Sequence, residues 1–169
     1  IAGGKVDLTT PLDVQRVNVL SANDMLQAAN QSAAAGCDIF IATAAVADYR
    51  TRDAAPQKIK KTQDEMTLDL VKNPDILATI SHTYPDMFMV GFAAETQDVE
   101  KYARGKLASK DLDMIACNDV SRKDIGFASD ENAMTVFFAD KYQQEPEALD
   151  KASKDDIAQQ LVALIGNTI

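Results

Sequence analysis

Three apolar runs stand out along the chain: Asp38 to Ala45, Met87 to Phe92 and Leu112 to Cys117. Runs that are apolar throughout, without a polar residue at alternate positions, mark strands covered on both faces, as in a parallel sheet. Segments with helical spacing, Pro74 to Thr83 and Gln97 to Ser109, separate the later runs from their neighbours. Strand and helix in alternation predict an α/β protein with a wound parallel sheet.

The flanking segments extend the pattern. Val17 to Leu20 fits a short strand, and Ser21 with Asp24 three residues on has the form of a capping box that starts a helix. Ala22, Met25, Leu26 and Ala29 then recur at helical spacing, and Gly36 stands where a left-handed cap would end the helix near residue 35. Towards the C-terminus, Ala133 to Ala139 reads as a further strand, and Ser153 caps a helix whose Ile157, Leu161, Leu164 and Ile165 form an apolar stripe. There is no internal repeat, linker or low-complexity tract, so residues 1–169 are expected to form a single domain. Ile1-Ala2-Gly3-Gly4 reads as the tail of a strand entering a loop, which leads us to expect a fragment of a longer protein.

Composition narrows the function classes. With 46% hydrophobic and 25% charged residues, the chain has the profile of a soluble globular protein. Seventeen basic and twenty-six acidic side chains give a net charge of −9, which disfavours nucleic acid and anionic lipid as partners. No apolar run approaches the roughly 20 residues that span a bilayer, and no signal-peptide order is present. Cys37 and Cys117 both lie in apolar runs, as buried free thiols do, and fit a reducing cytoplasm. The single His82 excludes a multi-histidine zinc site, and the seven glycines form neither a dinucleotide nor a Walker fingerprint.

In a parallel α/β sheet ligands bind beyond the carboxyl ends of the strands, so the residues just after each run carry the chemistry. Ala44 to Ala47 form a small-residue exit followed by Asp48, which is either a turn aspartate or an acceptor for hydroxyl, amino or metal groups. Arg50, Arg52, Lys58, Lys60 and Lys61 then place five cations beside the single acid Asp53, a local charge of +4. Screening over a Debye length of roughly 8 Å keeps the distant acidic surface from cancelling such a patch. It is a site for a polyphosphate or an ordinary solvated loop. Lys72 to Leu77 reads as a strand end followed by Pro74 in a first helical turn, whose free N–H groups suit a base or phosphate.

Phe92 serves a nucleotide base or the core equally well. Lys106 and Lys110 fall at seven-residue steps from the apolar Val99 and Ala103, so each ammonium either snorkels to water or meets an anion. Asn118 and Asp119 orient a substrate or make an Asx turn.

Taken together, Ala44-Ala45-Val46-Ala47-Asp48-Tyr49-Arg50, Lys58-Ile59-Lys60-Lys61, Lys72-Asn73-Pro74-Asp75-Ile76, Gly91-Phe92-Ala93-Ala94-Glu95-Thr96 and Asn118-Asp119-Val120 resemble the bacterial phosphopantothenoylcysteine synthetases. The resemblance covers essentially the whole chain. It implies a Rossmann-like sheet with additional antiparallel strands, whose first strand–helix unit, glycine-containing loop and acyl-handling asparagine all precede the equivalent of Ile1. It implies that Ala44, Asp48, Lys58, Pro74, Asp75, Ile76, Leu77, Phe92, Lys106 and Lys110 bind CTP, with Lys58 to Lys61 as a lysine flap. Ala45 and Asn118 would lie near 4'-phosphopantothenate, with Lys58 and Asn118 in catalytic roles. The family works with magnesium, the metal ligands being unassigned here, and as a homodimer. Its members are usually fused to a flavin-dependent decarboxylase, of which this chain carries no trace and hence no flavin.

The implied reaction activates the carboxylate of 4'-phosphopantothenate with CTP and joins it to cysteine, which needs positioning and electrostatics rather than a protein nucleophile. Two other readings remain: a nicotinamide-dependent reductase, against which the missing glycine fingerprint counts, and a fragment that binds nucleotide without turnover.

Overall fold

The apolar runs do pair as strands, and the chain separates into two compact units, residues 1–32 with 44–76 and residues 33–43 with 77–169. The computed structural model describes residues 2–3, 6, 8–60, 64–95, 97–119 and 130–169.

The larger unit holds a five-stranded sheet of order β3 (Ile39–Ala42), β6 (Phe88–Glu95), β7 (Met114–Asp119), β8 (Glu131–Phe138) and β9 (Glu147–Ser153). β3, β6 and β7 are parallel, and β8 and β9 run antiparallel beside them. The helices α2 (Ile76–Thr83), α3 (Val99–Ser109) and α4 (Lys154–Thr168) follow the order expected of wound α/β units. α4 seals one face: Ile157, Leu161 and Ile165 meet Phe88, Val90, Met114, Ala116, Val136, Phe138 and Leu149 in one buried cluster. α3 packs on β6, β7 and β8 with Ala103 and Leu107 buried. Met89, Ile115 and Cys117 are fully buried at the alternate positions of β6 and β7.

The smaller unit contains α1 (Ala22–Ala34, its last two residues belonging to the larger unit) and two strand pairs, parallel β1 (Ala2–Gly3) with β2 (Asn18–Val19) and antiparallel β4 (Tyr49–Thr51) with β5 (Leu70–Lys72). The capping box at α1 forms as the sequence demands, with Ser21 Oγ accepting from Asp24 N–H at 3.1 Å and Asp24 accepting from Ser21 N–H at 2.9 Å. Those hydrogen bonds hold the Asp24 carboxyl below its usual range. Gly36 follows the helix at φ +99°, the left-handed conformation that a Cβ disfavours. At the other end of the chain, Ser153 Oγ caps α4 through Asp156 N–H at 3.1 Å.

Several expectations are corrected. β3 is not covered on both faces: Ile39 and Ile41 stay 40% and 43% exposed, because β3 is the outermost strand of its sheet. α2 begins at Ile76, so Pro74 stands before the helix and not in its first turn. Asn73 explains the delay: its N–H donates to the Asp48 carbonyl at 2.8 Å and its Nδ2 to the Ala47 carbonyl at 2.8 Å, which holds the chain extended up to the proline. Cys37 is exposed, whereas Cys117 is buried, and neither forms a disulfide. The strand end read at Lys72 is that of β5, whereas β4 and β9 were not anticipated. β9 reads as mostly polar and buries only Leu149.

Among the described residues no helix is long and apolar enough to cross a membrane.

Candidate functional site

The carboxyl ends of β6 and β7 carry the groups that sequence placed at the sheet edge. Their register pairs Phe92 with Ala116 and Ala94 with Asn118. Side chains alternate across a strand, so Phe92 and Asn118 share the α4 face as diagonal neighbours, while Glu95 and Cys117 leave from the α3 face. Phe92 packs against the core cluster and is half-buried, which is the core role of the two left open for it.

Asn118 lies inside β7, which excludes an Asx turn, and it is 8% exposed. Its Oδ1 is buried with no hydrogen-bond partner among the described residues. An unmade hydrogen bond at a buried carbonyl costs about 1–3 kcal/mol, so a group of this kind is where a bound donor would contribute most.

On the α3 face, the Lys106 ammonium meets a protein anion, the Glu95 carboxylate, at 2.6 Å. Glu95 is 18% exposed, and so shielded a charge needs its counterion. The buried Cys117 thiol lies close enough to feel both. Burial pushes it up to about 11, Lys106 pulls it down and Glu95 pushes it up. Lys110, half-buried, caps the far end of α3, with its N–H on the Lys106 carbonyl at 3.1 Å and its carbonyl accepting from Ser81 Oγ at 2.5 Å. It therefore stands where β7 is about to begin, one helical turn beyond Lys106 and away from the strand exits.

The smaller unit presents the other candidates. Ala44, Ala45 and Asp48 lie in the exposed segment before β4, where Val46 N–H turns back to the Ala44 carbonyl at 3.1 Å. Asp48 fixes this segment through its backbone carbonyl, which leaves its carboxylate without a partner among the described residues.

The basic stretch divides. Arg50 donates to the Lys72 carbonyl at 2.8 Å and to Asn73 Oδ1 at 3.2 Å, and Arg52 pairs with Asp69 at 2.6 Å, an acid too distant in sequence to enter the local sum. Both arginines thus brace β4 against β5. Lys58 and Lys60 are exposed and form no ion pair among the described residues. Pro74 is half-buried, Asp75 exposed and Ile76 buried at the start of α2. Leu77, in the larger unit, spends its side chain on packing: a Cβ on Gly91 would meet Leu77 Cδ2 at 3.1 Å and Leu112 Cδ1 at 2.9 Å. Lys61 of the flap, and Thr96 and Val120 of the motifs, lie outside the described residues.

Asn73, Glu95 and Asp113 were not singled out by sequence reasoning. The buried Asp113 accepts from Met89 N–H at 2.7 Å, Tyr142 O–H at 2.6 Å and Lys141 Nζ at 2.6 Å, at the end of the sheet where β7 begins. Its signal was an acid between the apolar Leu112 and Met114. The hydrogen bond to Asp113 pushes Lys141 above its ordinary value; burial does so for Tyr142, with that hydrogen bond adding to it. A cleft of about 500 Å³ opens there, lined by His82, Arg104, Asp111 and Lys141 among others. Its cations are already paired, Arg104 with Glu100 and Lys141 with Asp113, and His82 lies 3.1 Å from Asp111, which leaves little charge for an anion.

The chain matches the family model described as the DNA/pantothenate metabolism flavoprotein C-terminal domain over residues 1–168. It is 52% identical over 143 residues to the coenzyme A biosynthesis bifunctional protein CoaBC of Vibrio parahaemolyticus, covering 83% of this chain and 36% of that protein. It is 47% identical over 163 residues to the protein of the same name from Haemophilus influenzae, covering 96% of this chain and 39% of that one. The chain thus spans under two fifths of the length of these relatives. A crystal structure of the C-terminal domain of a coenzyme A biosynthesis bifunctional protein CoaBC superposes with a TM-score of 0.76 at 33% identity, covering 96% of this chain and 69% of that one.

Proposed function

The chain belongs to the family of DNA/pantothenate metabolism flavoprotein C-terminal domains, and from that premise we propose that it carries the ligase step of coenzyme A biosynthesis, the CTP-dependent joining of 4'-phosphopantothenate to cysteine. The observation that carries this reading is the Oδ1 of Asn118, buried and without a hydrogen-bond partner among the described residues, at the carboxyl end of β7, where a sheet of this type receives its ligand.

In the proposed reaction the substrate carboxylate attacks the α-phosphorus of CTP and expels pyrophosphate, giving an acyl-cytidylate. The amine of cysteine then attacks the acyl carbon and expels CMP. Every nucleophile belongs to a substrate, so the protein's part is to hold reactants close and to offset charge. Lys58, exposed and without an ion pair, is suited to close on the phosphates. Lys106 meets them at the strand edge. Asn118 Oδ1 accepts a hydrogen bond from an amide or hydroxyl of phosphopantothenate, and Asp48 accepts from the nucleotide sugar. Among the described residues no three His, Cys, Asp or Glu side chains converge on one point. That fits a magnesium ion that arrives with the triphosphate and takes most of its ligands from phosphate and water. Such an ion would supply charge offset on the phosphates, with Asp48 the nearest chemistry for a single carboxylate ligand. A homodimer, fusion to a flavin-dependent decarboxylase and a cytoplasmic setting belong to the same proposal.

The test is the phosphopantothenate-dependent exchange of labelled pyrophosphate into CTP by the full-length protein. Lys58→Ala is expected to lower that exchange with circular dichroism unchanged. Exchange at the wild-type rate would overturn the role of Lys58, and no exchange with CTP by the wild type, alongside tight binding of a nicotinamide nucleotide, would overturn the ligase reading.

A further inference from the structure

The Lys106 side chain, with its flexible four-carbon stem, has rotamer entropy to lose when it is fixed on a ligand. Here it is fixed in advance. Its side chain is 39% exposed and its ammonium lies 2.6 Å from Glu95 Oε1, while Glu95 itself is the last residue of β6 and mostly shielded. The strand therefore sets where the carboxylate stands, and the carboxylate sets where the cation stands.

An ammonium has three donors, so a single bond to Glu95 leaves two for another anion. The charge balance also permits this. Coulomb energy falls inversely with distance, so the attraction of a phosphate oxygen in direct contact with the ammonium exceeds the repulsion between that oxygen and the more distant carboxylate. Attraction wins, by a narrower margin than for an unpaired lysine. What the pair adds is preorganisation, since a cation already held at the strand edge has less freedom to lose on binding.

We propose that Glu95 is a positioning residue for Lys106, holding its ammonium at the carboxyl edge of β6 for an oxygen of the bound nucleotide. This rests on the reading of Lys106 as a nucleotide contact given above. Glu95 touches no substrate and acts through the lysine.

A double-mutant cycle in the full-length protein tests it, with Glu95→Gln, Lys106→Met and the double variant. CTP affinity is read by calorimetry with magnesium present, and KM and kcat by pyrophosphate exchange. Glu95→Gln keeps the volume and removes the charge. Each single variant is expected to weaken CTP binding about tenfold, with the loss mainly in KM, and the double variant to be no weaker than Lys106→Met alone. Glu95→Asp, which keeps the charge but draws it back by one methylene, should fall between wild type and Glu95→Gln. Tighter CTP binding in Glu95→Gln, or a double variant whose loss is the product of the two single losses, overturns the positioning role while leaving Lys106 as a contact. Unchanged CTP binding in Lys106→Met instead overturns the contact itself, and the proposal with it.

Discussion

The two units hold their candidate ligand groups in opposite ways. In the larger unit, Asn118 and Glu95 stand on the central strands β7 and β6, whose side chains are largely buried on both faces, and Lys106 is held from α3 by Glu95. In the smaller unit, β4 and β5 are short and mostly exposed, and Lys58 and Lys60 project from a segment with neither helix nor strand. The contrast separates two tasks: a rigid edge suits recognition of one geometry, and an exposed cationic loop suits a charge that must be enclosed after it arrives.

Core truncation should show the contrast at its largest. Met114→Ala, at a fully buried position of β7, is expected to cost about 2–5 kcal/mol in urea denaturation. Leu70→Ala in β5, where the side chain is 54% exposed, should cost under about 1 kcal/mol. Equal losses would mean that the smaller unit is held as firmly as the larger.

Asn118→Leu sharpens the same point by parting stability from activity. Removing the unpartnered Oδ1 is expected to leave the urea midpoint unchanged or raise it, by up to about 3 kcal/mol. Pyrophosphate exchange should nevertheless fall by about a hundredfold, as for loss of one preorganised polar contact. A destabilised variant with normal exchange would show the asparagine to be structural.

A third effect comes from alkaline pH. The Cys117 thiol titrates at about 11 in the folded chain against 9.0 for the free group. The folded form holds that proton more tightly, so the associated stability is complete below about pH 9 and is lost as pH rises through 11, a matter of about 2–3 kcal/mol. Tyr142 and Lys141 are also raised and act in the same direction. Cys117→Ala should therefore flatten, but not abolish, the fall in urea midpoint between pH 9 and pH 11, and an unchanged slope would place the cause elsewhere. Smallest of all, Arg52→Ala should cost about 0.2–1 kcal/mol, because its pair with Asp69 is exposed to water and screened by salt.

Much of the larger unit was legible in the sequence, because burial on both faces leaves continuous apolar runs and helix caps leave fixed spacings. Ser153 caps α4 as read, and in the smaller unit Ser21 with Asp24 formed as their spacing required. The smaller unit was harder to read, since β4 and β5 bury too little to print a pattern, and Arg50 and Arg52 looked like part of a ligand patch until Asn73 and Asp69 were seen to engage them. Within the site, the residue types were evident and their partners were not. Lys106 was read as a cation that either snorkels to water or meets an anion, and the anion it meets is eleven positions back, at the end of another element.

The sequence by itself determined the helices and the apolar strands of the larger unit, which residues stand after those strands, and the family to which they belong, because these follow from periodicity, capping and local motif. Only the tertiary structure decided that Asn118 is buried with an idle carbonyl, that Glu95 claims Lys106, and that Arg52 is neutralised. Each of these depends on which strand and which helix come to lie side by side, and hydrogen bonds and ion pairs act over a few ångströms of space whatever the distance along the chain.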